Sequence, residues 1–396
     1  MNKSISILEV FAFANVITGL IPDLYAGLDQ VSRELVGFIP SVTRNVGAER
    51  AALGANVTYH VAPEANVSDS VPSMTIPEPT DQTIGTGNIQ ITKSRVAEFG
   101  WIGEETRGLN YGPGALSVQA DQFAQGVRAL VNEMEADLAV EAYKAASRMY
   151  GTAGTTPFAS SHAETAQIKK ILDDNGAAGS DRSLILDTSA GANLRSLTNL
   201  TKVNEAGTSM TLRDGQLLDL NGLSIKESAQ IQTPVVGDGA SATTNAAGYA
   251  VGATVITLAS AGTGTILAGD VVTLAGDSSQ YVVASGDADV SGGGTITLNA
   301  PGLRVAIATS TTAITVVAAG SRNIAFTRSA LHLVARPGAL VNGQDAAIDR
   351  FMLTDPRSGL MFEVAIYQGY KKLRAEVGLA WGVKAVKTEH IAGLLG

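Results

Sequence analysis

The 396-residue sequence has no cysteine, which excludes a disulfide framework, a thiolate nucleophile and any cysteine-ligated metal site. Positive charge is in short supply: 28 Lys and Arg stand against 37 Asp and Glu, for a net charge of −9. That is the wrong sign for gripping nucleic acid through its phosphates, although it allows a protein that merely encloses nucleic acid. Long apolar runs are also missing. "MNKSISILEVFAFANVITGLI" loosely imitates a secretory signal, but Glu9 interrupts it and the uninterrupted run is too short to span a bilayer. An amphipathic N-terminal arm is the expectation there.

Reaction machinery is equally scarce. "GTGTILAG" is glycine-rich but no Gly-Lys-Ser/Thr follows, and no Gly-x-Ser-x-Gly elbow occurs. His60, His162, His332 and His390 fall on separate elements, with no pair at metal-ligand spacing. Asp287 and Asp289 sit beside glycines, yet the closing Glu of a calcium loop is missing, so a solvated turn is expected. The carboxylates of "REL", "EET" and "NEMEAD" are placed on helix faces or turns with nothing convergent, and Glu104, Glu105 and Arg107 read as surface charge. No catalytic, cofactor-binding or metal-ligating residue is expected, and no enzyme.

What the sequence does contain is a succession of distinct textures. Residues 1–54 are arm-like, broken by Pro22 and Pro40. "NVTYHVAPEA" (56–65) and "NIQITKSRVAEF" (88–99) alternate as strands do, around a polar tip with Pro72, Pro77 and Pro79. They describe a protruding hairpin over 55–95, with little of its own to bury. Phe123, Val127, Leu130, Met134 and Leu138 then step by three or four, and Ala142, Ala145 and Met149 continue the stripe. One helix is expected from about Leu116 to Tyr150, long enough to act as a spine.

Ser161 and Glu164 form a capping-box pattern for a second helix, "SLILD" (183–187) reads as a buried strand, and Thr188 or Ser189 caps a third helix. From Pro234 to Gly320 the composition shifts: the charged residues are Asp238, Asp270, Asp277, Asp287, Asp289 and Arg304, with no Lys, Phe or Trp. "TVITLA", "DVVTLA", "YVVA", "TITLNA", "LRVAIA" and "AITVVA" are short strands between Gly- and Ser-rich turns, which suggests a small barrel or sandwich inserted in a loop of another domain, with a closed or nearly closed barrel the expectation. Two strands around Gln368-Gly369-Tyr370-Lys371-Lys372 close the chain as a long hairpin.

The order of these parts resembles the major capsid protein of tailed bacteriophages, an α+β fold of the HK-ninety-seven-like type in its P-twenty-two-like form. "LRDGQLLDLNGLSIKESAQI" (212–231), "ILAGDVVTLAG" (266–276) and "YKKLRAEVGLAWGVKAVKTEHIAGLLG" (370–396) carry the resemblance. The resemblance implies an N-terminal arm (1–54), an extended hairpin (55–95), a peripheral domain with the spine helix (96–160 and 367–396), an axial domain (161–233 and 321–366) and an inserted β-domain (234–320). It implies a self-assembling icosahedral shell of hexamers and pentamers around double-stranded DNA, built in the host cytoplasm, with scaffolding and portal proteins, a possible decoration protein, no cofactor and no membrane. Intersubunit contacts are expected at the threefold tip, Gln368, Gly369, Tyr370, Lys371 and Lys372, and along the hairpin at Asp69, Met74, Ile76 and Glu78. The hairpin region from Val67 to Gly87 has no Lys, so the hairpin-lysine cross-link of some relatives is not implied. Two rivals differ in class. An encapsulin-type shell around an enzyme would usually lack the insertion, and a secreted β-rich adhesin would want an aromatic-rich face where the insertion has only Tyr249 and Tyr281.

Overall fold

The computed structural model describes residues 35–61, 67, 69–76, 78, 83–110, 115–202, 204, 210–217, 219–341, 345–355 and 358–396. The arm expected over residues 1–54 lies outside the described residues as far as residue 34. A turn at Gly37–Ser41 leads into β1 (Thr43–Val46). Strands β2 (Asn56–Val61) and β3 (Gly85–Gln90) pair antiparallel, with Asn56 opposite Gln90 and Val61 opposite Gly85. Next come β4 (Lys93–Ile102), the short helix α1 (Gly103–Asn110) and the spine α2 (Ala115–Ala145).

The 31 residues of α2 span about 46 Å at 1.5 Å per residue. Val127, Leu130, Met134, Leu138 and Ala142 are buried along one stripe, as the spacing requires. The helix stops five residues before the expected Tyr150. Arg148–Gly151 instead forms β5, parallel to the C-terminal strand, where its backbone groups find sheet partners.

The middle of the chain supplies α3 (Ala163–Asp174), β6 (Arg182–Leu186), α4 (Thr188–Ser196) and β7 (Ser224–Glu227). Two expected caps are corrected. No side chain caps α3, whose N-cap is His162; Ser161 Oγ only accepts from Ala163 N–H at 3.4 Å. Asp187, not Thr188 or Ser189, caps α4: its carboxylate accepts from Ala190 N–H at 2.9 Å, satisfying a free first-turn donor.

Strands β8 (Val255–Leu258), β9 (Val271–Leu274), β10 (Gln280–Ser285), β11 (Gly294–Leu298) and β12 (Ile314–Val316) follow. They pair in the order β12-β9-β10-β11-β8. The ring is closed by residues 242–245: Thr244 bridges Leu258 on one side, and Thr243 bridges Ala313 beside β12 on the other. Ile256, Val272, Leu274, Val283, Ile296 and Ile314 fill the inside, one face of each strand. The barrel is nonetheless stitched to the body. Gln280 and Tyr281 of β10 pair with Met149 and Arg148 of β5, and Asn299 Nδ2 donates to the carbonyls of Lys144 and Ala146 at 2.7 and 2.8 Å. The two ends of the segment meet where Arg322 N–H donates to Gln232 O at 3.1 Å.

The last strands are β13 (Arg322–Thr327), β14 (Leu331–Arg336), β15 (Ala347–Thr354), β16 (Met361–Gly369), β17 (Lys372–Ala385) and β18 (Ile391–Leu395). One sheet joins β5, β18, β13, β6 and β7 to the barrel strands. The other is organised on β17. Ala380 and Trp381 pair with both β4 and β14, so β4 runs along one edge of β17, while β16 and then β14 occupy the other; β15 lies outside β16, and β1 outside β14. Val377, Leu379 and Trp381 face the spine in a shared core. These pairings redistribute the segments expected from the sequence. Strands β14–β16, placed with the axial residues 321–366, belong to the sheet under the spine, and β18, placed with 367–396, belongs to the other sheet. Strand partners are set by register between segments hundreds of residues apart, which local alternation does not encode.

Candidate assembly surfaces

Among the described residues, the hairpin packs on the body at its base. Ile89 and Ile91 are buried against Val334 and Ala380. Gln90 crosses directly over Gly382, where a Cβ would stand 2.0 Å from the Gln90 carbonyl oxygen, so only glycine admits the crossing. Lys384 Nζ donates to Asn88 O at 2.9 Å, and Tyr59 lies 5.9 Å from the His332 ring. Each step from Gln90 toward the tip therefore moves along β17 toward its C-terminal end. Between Val61 and Gly85 the described residues form no strand, and Val67, Met74 and Ile76 are almost wholly exposed. Asp69 and Glu78 are exposed beside them. The four sequence-predicted hairpin residues thus share one unpacked stretch.

The second surface is at the other end of the same sheet. Gly369 pairs with Lys372, leaving Tyr370 and Lys371 as a two-residue turn with Lys371 in the left-handed region at φ +55°. Tyr370 is 88% exposed, and Lys371 Nζ sits 5.4 Å from its ring centroid. Gln368, Gly369, Lys371 and Lys372 are exposed around it, and among the described residues no carboxylate lies within ion-pair distance of either lysine. A cleft of about 1060 Å³ opens between this turn and residues 101–107, with Trp101, Ile102, Leu373, Glu104, Arg107 and the two lysines in its lining. Trp101 is fixed by Nε1–H donation to Gln122 Oε1 at 2.9 Å.

Between the two ends, the sheet face turned away from the spine carries a charge ladder that sequence reasoning missed. Arg50 grips Glu363 through two hydrogen bonds of 2.5 and 2.9 Å, and Glu363 also pairs with Arg350 at 2.9 Å. Arg350 pairs with Asp345, whose carboxylate lies 2.7 Å from the Tyr367 hydroxyl; Glu376 lies 2.9 Å from the same hydroxyl. Arg374 then joins Glu376 to Glu98 at 3.0 and 2.9 Å. Burial first, then the two neighbouring carboxylates, push the Tyr367 phenol well above its ordinary range. Like-charged Glu98 and Glu376 stand opposite each other in register, and Arg374 relieves that repulsion. The alternation of Glu363, Arg374 and Glu376 with buried apolar neighbours was the available signal.

The residues weighed for chemistry disperse. Asp287 and Asp289 each close a local turn, Asp287 Oδ1 accepting from Asp289 N–H at 2.8 Å and Asp289 Oδ1 from Ser291 N–H at 3.0 Å. Glu105 Oε2 accepts from Ile102 N–H at 3.1 Å. Among the described residues no three His, Asp or Glu side chains gather as a metal site, and no helix is long and apolar enough to cross a membrane. Glu135 is a correction. It is fully buried, with its carboxylate accepting from the N–H groups of Gly37, Phe38 and Ile39 at 2.6, 2.7 and 3.0 Å.

No protein-family model matches the sequence, and no curated protein matches it. Among solved structures, the capsid of cyanophage P-SCSP1u is similar at 15% identity over 96% of this chain and 95% of that one, with a TM-score of 0.49. A Mycobacterium phage Che8 structure is similar at 14% identity over 96% and 98%, with a TM-score of 0.46. A virus-like particle from Pyrococcus furiosus is similar at 11% identity over 90% and 92%, with a TM-score of 0.38. The described parts follow in the order hairpin, spine helix, mixed sheet, β-barrel and terminal long hairpin, an α+β arrangement.

Proposed function

We propose that the chain is a major capsid protein, a structural subunit whose copies close into an icosahedral shell around the double-stranded DNA of a tailed bacteriophage. The observation that carries this reading is the hairpin: it extends from the sheet with exposed apolar side chains and no core of its own. A two-stranded ribbon of that kind is marginal in water alone and needs a neighbour to cover it. The scattered titratable residues suit a building block, and the net charge of −9 keeps a wall from sticking to enclosed DNA. Scaffolding and portal proteins are the expected assembly partners, with a decoration protein a further one, and the host cytoplasm is the expected place of assembly. The closed barrel within 234–320 favours this reading over a shell that houses an enzyme. Electron microscopy of the purified protein, with assembly factors supplied, is expected to show closed icosahedral particles. A protein that stays monomeric with every factor present, and is never found in a virion, overturns the reading.

A further inference from the structure

We propose that the outer edge of β15 is a self-pairing surface. The β15 strands of two copies of this chain join antiparallel about a two-fold axis beside Met352, so that one sheet runs through both subunits. The inference goes beyond the shell-subunit reading and can fail independently of it.

Strand β15 ends its sheet. It pairs with β16 on one side and, among the described residues, with no strand on the other, so backbone groups along its outer side have no ladder to join. Such edges are normally blunted by charge or by a bulge. In β15 those devices stand in the first half only, at the register shift between Ala347 and Asp349 and at Asp349 and Arg350 themselves. The run Phe351-Met352-Leu353 that follows is large and apolar, and it is 46%, 38% and 40% exposed. Phe351 lies opposite Val364 and Leu353 opposite Phe362, both fully buried in the core that the spine covers. That core runs out onto β15 and stops there uncovered.

The residues of the strand select the occupant. Residues directly opposite each other in an antiparallel pair point to the same face, so an axis relating two identical strands passes beside a residue and not between two. An axis at Phe351 would set Leu353 against the charge of Asp349, and one at Leu353 would leave Phe351 opposite a position beyond the strand's end at Thr354. An axis at Met352 does neither. On the core face it sets Phe351 of each copy against Leu353 of the other, two aromatic–aliphatic pairs of the kind that stabilise sheets. On the opposite face Met352 meets itself and Arg350 meets Thr354. Arg350 already pairs with Asp345 and Glu363, so it needs no counter-charge from the second copy. The strand is its own complement. The contact is isologous, so it makes closed pairs and not open chains, and an icosahedral shell has two-fold axes on which to place them.

A cysteine-free chain makes the test clean. About the proposed axis the two Met352 Cα atoms stand about 5 Å apart, within disulfide reach, and the two Thr354 Cα atoms about 14 Å apart. After mild oxidation of assembled particles, full-length Met352→Cys is expected to run as a dimer on a non-reducing gel, and Thr354→Cys as a monomer. Within the subunit position 352 lies opposite Glu363, so Met352→Lys suits the subunit's own sheet. Between copies it sets like charges face to face, and it is expected to lower particle yield about tenfold while the unassembled subunit melts as the parent does. Particles in which Met352→Cys stays monomeric, or in which Thr354→Cys links equally well, overturn the pairing and leave the capsid reading intact. So does a parental particle yield from Met352→Lys. Specific Met352→Cys dimers from a chain that never forms particles keep the pairing and remove the capsid reading.

Discussion

The Glu135 carboxylate stands where the spine, the entering N-terminal segment and β7 meet. Three backbone N–H groups of the turn at residues 37–39 end on it, and Phe38, held in that turn, stacks on Phe326 with centroids 5.9 Å apart. Burial raises its carboxyl above the usual range, although the backbone donors pull the other way. A raised folded-state value means that its contribution is fully present below the ordinary value of 4.5 and declines as pH rises through the raised one. Glu135→Gln keeps one acceptor and removes the titration, so its unfolding free energy is expected to lose that decline when melts are compared between pH 4 and 8. Glu135→Ala orphans three buried donors and is expected to cost on the order of 3 kcal/mol or more in urea unfolding at pH 7. A Glu135→Ala variant as stable as the parent would remove the junction role. The sequence did not reveal this residue, because "NEMEAD" lies on a helix and the amides it serves are almost a hundred residues earlier. No periodicity links a side chain to a distant backbone turn.

Among the elements, those with strong internal periodicity were legible and those defined by a distant partner were not. The Val127–Leu138 stripe located the spine, and the alternation over 56–65 and 88–99 pointed to strands, the second of which divides into β3 and β4 on two sheets. Met149 fits the helical stripe equally well, yet it is a strand residue, because β18 from the end of the chain offers Gly393 as its partner. The candidate site divides in the same way. The turn at Gln368–Lys372 could be read from its residues, whereas the cleft beside it needs Trp101 and Ile102, brought alongside by β4–β17 pairing. The hairpin packs on the body through Ile89 and Ile91. Its tip contributes no buried side chain among the described residues, so deletion of Val67–Gly87 is expected to leave a subunit with native circular dichroism and a cooperative melt. The same subunit is expected to sediment as unassembled protein where the parent forms particles. A deletion that unfolds the subunit would show that the hairpin belongs to its core after all.

For the molecule as a whole, the barrel at 234–320 is both a closed ring and a neighbour sharing a strand with the body. Its interior is complete without the body, since Ile256, Leu274, Ile296 and Ile314 pack on one another's cluster. Its β10, however, loses two paired residues if β5 is taken away. Expressed alone, the segment is expected to unfold in one β-type transition at a lower temperature than the barrel within the full chain. A disordered segment would show that the seam with β5, and not the ring, makes it fold.

The two crossings into that segment have a further consequence for descent and for engineering. Gln232 and Arg322 are joined by a single hydrogen bond, and the register of β13 is fixed on both sides by β6 and β18. Whatever polypeptide occupies the interval enters and leaves through one opening of fixed width. Its length can change by a residue or by a whole domain without sliding the pairs of β13 with β6 and β18. A foreign domain whose own termini lie that close together is a graft this position admits.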